Sequence, residues 1–423
     1  MKKWSGKLFA ALLGLALVSI GGFDAKAADV FRIGALYPLS GPMALLGTHD
    51  MNGVELATEI FNERGGVKGK KVQLVKADVP TTDAARSEAE RLINVEKIDV
   101  MFGTYSSSLS FVASAVTEKN KKIFWETGAI ADNITQRNFK YLFRTCTQAS
   151  DFGYAAADFI MKKLAPDFKI GLKDLKVAIA HEDSLYGTSV MAAASKRLKQ
   201  NGVNVVAQES YSKTVTDLAP IVMKFKMLRP DIILTTCYTN DAILWSRQMR
   251  EMNLNVKAFV GSGGGHGVLD FAKATGKDSD GVFSADFPLV KDPKTLDAKL
   301  DPPLKTVFER YKKKFGDYPD LHAMSAFTSA WVFYTQVLAK TASLDPEAVK
   351  KAAYKIDIPM GGTHMGWGVK FRDEKSAEPG QNDRAFAVMM QWQGGLNYCV
   401  WPDRYAERKA ILIPLPEWKD RKK

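Results

Sequence analysis

Short runs of β-type residues alternate with amphipathic helical stretches almost without a break, and this alternation leaves the chain few architectures. Residues 31–37 read as a strand, and 48–64 as a helix with Val54, Ala57, Ile60 and Phe61 on one face. Gly65-Gly66 stops that helix where left-handed backbone is needed. Residues 71–78 read as the next strand, Thr82 as the cap of a helix to about 94, and 100–103 as a third strand. Such a rhythm builds a parallel sheet covered by helices. It runs on through a helix at 107–120 and a strand at 123–125, then pauses at 141–145.

A second stretch of the same kind follows. Helices are expected at 150–164, 186–201, 218–228 and 240–252, with strands at 177–181, 204–210, 232–237 and 258–261. From about Val282 the pattern changes to long helices at 304–315 and 324–341. Short strands are then expected around Phe371, at 386–392 and at 397–401, the last two joined by a hairpin at Gln393-Gly394-Gly395. The fold class is therefore α/β, with two doubly wound parallel-sheet lobes in tandem.

Ahead of the first strand, Lys2, Lys3 and Lys7 precede an apolar stretch at 8–23, and Ala25-Lys26-Ala27 fits a small-x-small cleavage pattern. The apolar stretch is shorter than the roughly 20 residues a spanning helix needs. Residues 1–27 thus read as a cleaved secretory signal, and no cysteine near the cut offers a lipid attachment point. The expected location is the periplasm of a double-membraned bacterium. A fold exported there has no ATP or nicotinamide to work with, so its economical use is to catch and deliver a solute.

Composition narrows the function further. Removing 1–27 lowers the formal charge from +12 to +9, but the basic residues are scattered among acids, with clusters only at 119–122, 312–314 and 419–423. These read as solvated helix faces and a charged tail, so no nucleic-acid partner is expected. Cys146, Cys237 and Cys399 cannot all pair and match no metal spacing. His49, His181, His266, His322 and His364 are isolated from one another, and no phosphate-cradling glycine loop or nucleophile elbow is present. No catalytic residue, metal or cofactor is expected, and the chain is not read as an enzyme.

Several segments carry a resemblance. Ser40-Gly41-Pro42 after the first strand, the run from Asn62 to Lys70 through Gly65-Gly66, Gly103-Thr104-Tyr105-Ser106-Ser107-Ser108, Gly128-Ala129 and Tyr186-Gly187 stand in the order and spacing of one family. The mature chain resembles type I periplasmic binding proteins of the leucine/isoleucine/valine-binding class, which serve ABC importers and whose relatives bind amides, urea or aromatic acids. The resemblance implies three crossings between lobes, near 145–150, 280–286 and 358–364. Lobe one would comprise 29–147 and 284–360, and lobe two 148–283 and 361–423. Such a pair of lobes closes like a jaw on a solute held at the carboxyl ends of the strands.

The candidate site follows from that placement. Ser106 and Ser107 lie between the third strand and the next helix, where hydroxyls and free backbone N–H groups converge on an anion without a basic side chain. Ala129 and Ile130 follow the next strand and would offer backbone groups, although amino-acid binders of this class usually have Thr at the place of Ile130. The acid those proteins set against a ligand ammonium should fall near Gly263. A buried ammonium without it would cost roughly 2–5 kcal/mol, and Asp183, Glu182 or Asp241 are substitutes. Tyr186 and Tyr238 match pocket walls, Leu46 stands where another wall aromatic often lies, and His266 is a candidate donor among its glycines. Val79 and Tyr105 occupy the two positions of the family's early disulfide, which is therefore absent.

The expected function is that of a monomeric solute receptor. It captures a small carboxylated solute, a branched-chain or related amino acid by resemblance, and delivers it to ABC permease subunits in the inner membrane. The departures at 130 and 263 leave an aromatic acid or amide-type compound open, and the rival reading of a different class is a periplasmic sensor uncoupled from import.

Overall fold

The structure, a computed structural model, describes residues 1, 30–289 and 295–421. The expected signal at 1–27, apart from Met1, lies outside the described residues, as does the end of the basic tail at 422–423.

The first lobe is built on five strands: β1 (Phe31–Tyr37), β2 (Val72–Asp78), β3 (Val100–Gly103), β4 (Ile123–Glu126) and β5 (Leu142–Arg144). They pair in the order β2-β1-β3-β4-β5, parallel throughout. Three helices connect them, α1 (Ala44–Glu63), α2 (Thr82–Asn94) and α3 (Ser107–Lys119). β3 and β4 are buried at every position, because helices cover both faces of a parallel sheet. Thr81, one residue before the expected cap, accepts the Ala84 N–H at 3.2 Å and begins α2. α1 starts before residue 48, at Ala44.

The second lobe begins with α4 (Ala149–Phe159) and α5 (Ala165–Phe168) and alternates β6 (Lys176–Glu182), α6 (Leu185–Gln200), β7 (Asn204–Tyr211), α7 (Ala219–Leu228), β8 (Ile232–Thr236), α8 (Thr239–Glu251) and β9 (Ala258–Ser262). Two short helices, α9 (Gly263–His266) and α10 (Leu269–Thr275), lead into β10 (Phe283–Asp286). Much later in the chain, β11 (Val388–Gln393) and β12 (Leu396–Trp401) complete a seven-stranded sheet ordered β12-β11-β10-β9-β8-β6-β7. β11 runs antiparallel to both β10 and β12. Gly394 and Gly395 form the hairpin loop with φ of 64° and 78°, values that a two-residue turn with the right twist requires.

Between β10 and β11 the chain returns to the first lobe as α11 (Leu304–Phe315), α12 (Leu321–Val332), α13 (Ala339–Thr341) and α14 (Pro346–Ala353). α12 lies along α1 and buries every one of its residues, which is why its sequence has no polar face. It is bonded to the first sheet: Trp125 Nε1 donates to the Ser329 carbonyl at 3.1 Å, and Ser325 Oγ to the Thr127 carbonyl at 3.0 Å.

Two expected crossings move. Residues 284–286, placed with lobe one by the sequence reading, complete β10 in the seven-stranded sheet. Residues 361–382, placed with lobe two, pack on the first: Phe371 meets Trp125 and Phe143 edge to face, and Gln381 bridges to Arg144 beside β5. Phe371 makes only an isolated bridge, to Asn382, and no strand. The physical reason is shared. Four buried residues of β10 and single bridges at the edge of a sheet leave too short a pattern to read.

Candidate ligand-binding cleft

The carboxyl ends of the two sheets face each other across a cleft, and rings from both lobes fill it. Tyr105, Ser107, Gly128, Ile130 and His322 line it from the first lobe, Phe152, Tyr186, Tyr238 and Gly264 from the second, and Phe287 from the crossing after β10. The space they enclose is about 20 Å³, room for about one water. A solute of amino-acid size enters only when these rings part.

Tyr105 is the residue that spans the cleft. It has φ of 84°, a left-handed value strained for a bulky side chain and of the kind that collects at ligand clamps. Its hydroxyl approaches Gly264, where a Cβ would stand 2.6 Å away, so glycine at 264 leaves the ring its room. Its ring centroid lies 6.3 Å from that of Tyr238, which is 5.4 Å from Tyr186. His322 meets Tyr105 edge to face at 5.3 Å and Phe287 at 5.8 Å. Tyr186 Oη pairs with Ser262 Oγ at 2.9 Å and accepts the Gly264 N–H at 3.3 Å, while the Tyr238 hydroxyl interacts with the side chains of Ser106 and Ser184. Burial holds all three phenols above their ordinary range, so they stay neutral donors.

Glu126, at the end of β4, organises the floor. Fully buried, its carboxylate accepts the backbone N–H groups of Thr104, Thr127, Gly128 and Ala129 at 2.7–3.2 Å and the hydroxyl of Ser110. Desolvation raises its pKa and these bonds oppose the rise. Across the ladder stands Arg144, also fully buried, which donates to the carbonyls of Ala131 at 2.7 Å and Ala129 at 3.3 Å and to Gln381 Oε1 at 2.5 Å.

Ser107, Ile130, Tyr186 and Tyr238 are thus brought together around one space. Ser106 lies beside them as the N-cap residue of α3, its side chain turned to Tyr238 instead of capping the helix. Ser107 Oγ accepts the Ala131 N–H at 3.1 Å. Ala129 is elsewhere: its N–H serves Glu126 and its carbonyl Arg144, so neither faces the cleft. Leu46 belongs to the core around α1. Gly263 lies one residue behind the lining, against Asp286 and Phe152. His266 is not on a loop. It is fully buried between Phe259 and Phe271, its Nδ1 3.4 Å from Cys237 Sγ, and burial depresses its pKa to about 3.

The three acids considered as substitutes are also occupied. Glu182 accepts the N–H groups of Ser184 and Gly187 at 2.7 and 2.6 Å, Asp241 accepts the Tyr211 hydroxyl at 2.9 Å, and Asp183 accepts the Lys213 N–H at 3.2 Å. Sequence reasoning missed Tyr105, Phe152, Phe287 and His322, which come from four separate segments. The strand end at 103 pointed to Tyr105, which follows it two residues on. The three cysteines are all buried, and no group of metal-ligating side chains occurs among the described residues.

Two α/β lobes closing on an aromatic cleft define a class of solute receptors, and the chain belongs to the periplasmic binding protein family, whose model matches residues 30–395. Among its relatives is the Leu/Ile/Val-binding protein homolog 7 of Brucella suis biovar 1 (strain 1330), 37% identical over 397 residues, 93% of this chain and 97% of that one. Homolog 8 of the same strain is 36% identical over 404 residues, 95% and 97% of the two chains. The fold is shared with the isoleucine complex of LivJ from Streptococcus pneumoniae (TM-score 0.74, 21% identity, covering 87% and 97%). It is shared also with a solute-binding protein of an ABC transporter from Rhodopseudomonas palustris in complex with benzoate (TM-score 0.71, 19% identity, covering 90% and 99%).

Proposed function

We propose that this chain is the solute-capturing component of an ABC importer, exported to the periplasm, holding a small carboxylated solute between its lobes and presenting the closed form to permease subunits of the inner membrane. The observation that carries this reading is the space of about 20 Å³ at the ends of both sheets, walled by rings from both lobes. Work of this kind needs no bond chemistry. The transporter distinguishes closed from open through differential affinity for the two shapes. The carboxylate end of the solute lies toward Ser107 at the start of α3, where N–H groups and the helix dipole favour an anion.

A branched-chain amino acid is the leading ligand, supported by the names of the Brucella relatives and by the isoleucine complex of a fold neighbour. A second reading, an aromatic acid, is favoured by the ring-lined walls and by the neighbour with benzoate. The test is a thermal-shift screen of branched-chain amino acids, aromatic acids and amides on the mature chain, with small-angle scattering on each hit. A ligand at a hundred times its dissociation constant adds about 2.7 kcal/mol of stability. The reading fails if no compound raises the melting temperature, or if every binder leaves the radius of gyration unchanged.

A further inference from the structure

One polar side chain on the wall of the cleft has hydrogen-bonding capacity to spare. His322, the second residue of α12, lines the space between the lobes and is 4% exposed, yet neither Nδ1 nor Nε2 completes a hydrogen bond. The Gly263 backbone comes near the imidazole from the second lobe without completing a bond to it. Other polar side chains on the same wall are already engaged. Tyr186 pairs with Ser262, Tyr238 interacts with Ser106 and Ser184, and Ser107 accepts the Ala131 N–H.

The ring is held in place from three sides. Asp320 caps the first turn of α12 by accepting the Ala323 N–H at 2.8 Å, and that turn lies so close to α1 that a Cβ at Gly53 would collide with the Ala323 carbonyl. Tyr105 and Phe287 meet the imidazole edge to face, at interplanar angles of 83° and 75°, which fixes the plane of the ring as well. Burial depresses the pKa of His322 to about 4 against the pull of Asp320, which is itself bonded to His49 at 2.8 Å. Near neutral pH the imidazole is therefore uncharged, with one nitrogen donating and the other accepting. A buried polar group without a partner is costly. A solute group that pairs with it is selected over an analogue that leaves it unpaired, and a ring already fixed loses little freedom in making the bond.

We infer that His322 is a specificity-determining residue, through which the cleft reads a neutral hydrogen-bonding group, a hydroxyl or a primary amide, on the body of its carboxylated solute. This deepens the solute-capture reading and rests on it. Hydroxyls and primary amides donate and accept at once, as the two ring nitrogens require. Both ligand readings are narrowed in the same way: a body made only of hydrocarbon, aliphatic or aromatic, leaves the imidazole unpaired and is held less tightly than its polar isostere.

The test uses isosteric pairs on the full mature chain, read by calorimetry: threonine against valine, asparagine against leucine, and 4-hydroxybenzoate against 4-methylbenzoate. The polar member of at least one pair is expected to bind about tenfold or more tighter than its hydrocarbon partner. His322→Phe, which keeps a ring in the same place, is expected to bring that ratio below about twofold by weakening the polar member alone. His322→Gln, which keeps a donor and an acceptor, is expected to retain a preference of about threefold or more. Equal or tighter binding of every hydrocarbon member, with compaction in scattering, overturns the inference and leaves the capture reading standing. A ratio unchanged in His322→Phe removes His322 from specificity. If no compound binds or compacts the chain, both readings fall. Should His322→Phe not fold, the ring nitrogen resonances of His322 decide in the parent chain: they are expected to shift with the polar member and not with its isostere, and equal shifts with both overturn the inference.

Discussion

Glu126 is a side chain doing the work of backbone. Four N–H groups from two turns converge on its carboxylate, and that of Thr127 also reaches the Gly103 carbonyl at 3.1 Å. Glu126→Ala should therefore cost about 3–5 kcal/mol in urea unfolding, because buried donors are left without an acceptor and Arg144 without its neighbour. Asp50 is the opposite case. Desolvation first, then Asp320 and Glu126, raise its pKa well above the usual carboxylate range. Folded, it keeps a proton that the unfolded chain gives up above about pH 4, so its contribution to stability falls as pH rises toward its folded value. Asp50→Asn should gain on the parent chain as pH goes from 4 to 8, a trend that thermal melts across that window would reveal or refute. Ser107, Ile130, Tyr186 and Tyr238 were legible in the sequence because each follows a strand end. His266 was misread because flanking glycines look like a loop; it ends the short helix α9, and it is Gly261 of β9 that leaves its ring room, a Cβ there standing 2.1 Å from Nδ1. Phe152 and His322 carried no signal, being indistinguishable in sequence from core positions of their helices.

At the scale of elements, alternation made the parallel strands and most helices plain, and the elements that escaped it are the short or fully buried ones. β10 has four residues, all buried, whereas α12, buried all round, was still read as a helix from residue 324. The hairpin between β11 and β12 was legible from its glycines, and it permits a clean prediction. A Cβ at Gly395 would meet nothing within 4 Å, so Gly395→Ala carries only the penalty of left-handed backbone, about 1 kcal/mol. Denaturant titration should report that loss with ligand affinity unaltered; a much larger loss would mean the turn has been misassigned.

The whole molecule is held shut by few contacts across the cleft. Asp132 N–H donates to Ser189 Oγ at 3.1 Å, and Lys273 pairs with Asp317 at 3.0 Å on an exposed rim. More than half of each of those two charged side chains is exposed, so Lys273→Ala should shift unfolding by no more than about 1 kcal/mol and ligand affinity by a few-fold at most. Closure is left to the rings and to the solute.

Arg144 has a mechanical consequence. Its guanidinium joins the carbonyls of 129 and 131 to Gln381, and Asn382 bonds to the backbone of Arg144, Thr145 and Gly368. The third connection between the halves is therefore clamped to the first sheet as far as Asn382, and Arg384 extends the clamp by donating to the Ile358 carbonyl. Only Ala385-Phe386-Ala387 separates that anchorage from β11. Torsion on this connection has only these three residues in which to accumulate, and any hinge motion of the lobes is expected to centre there.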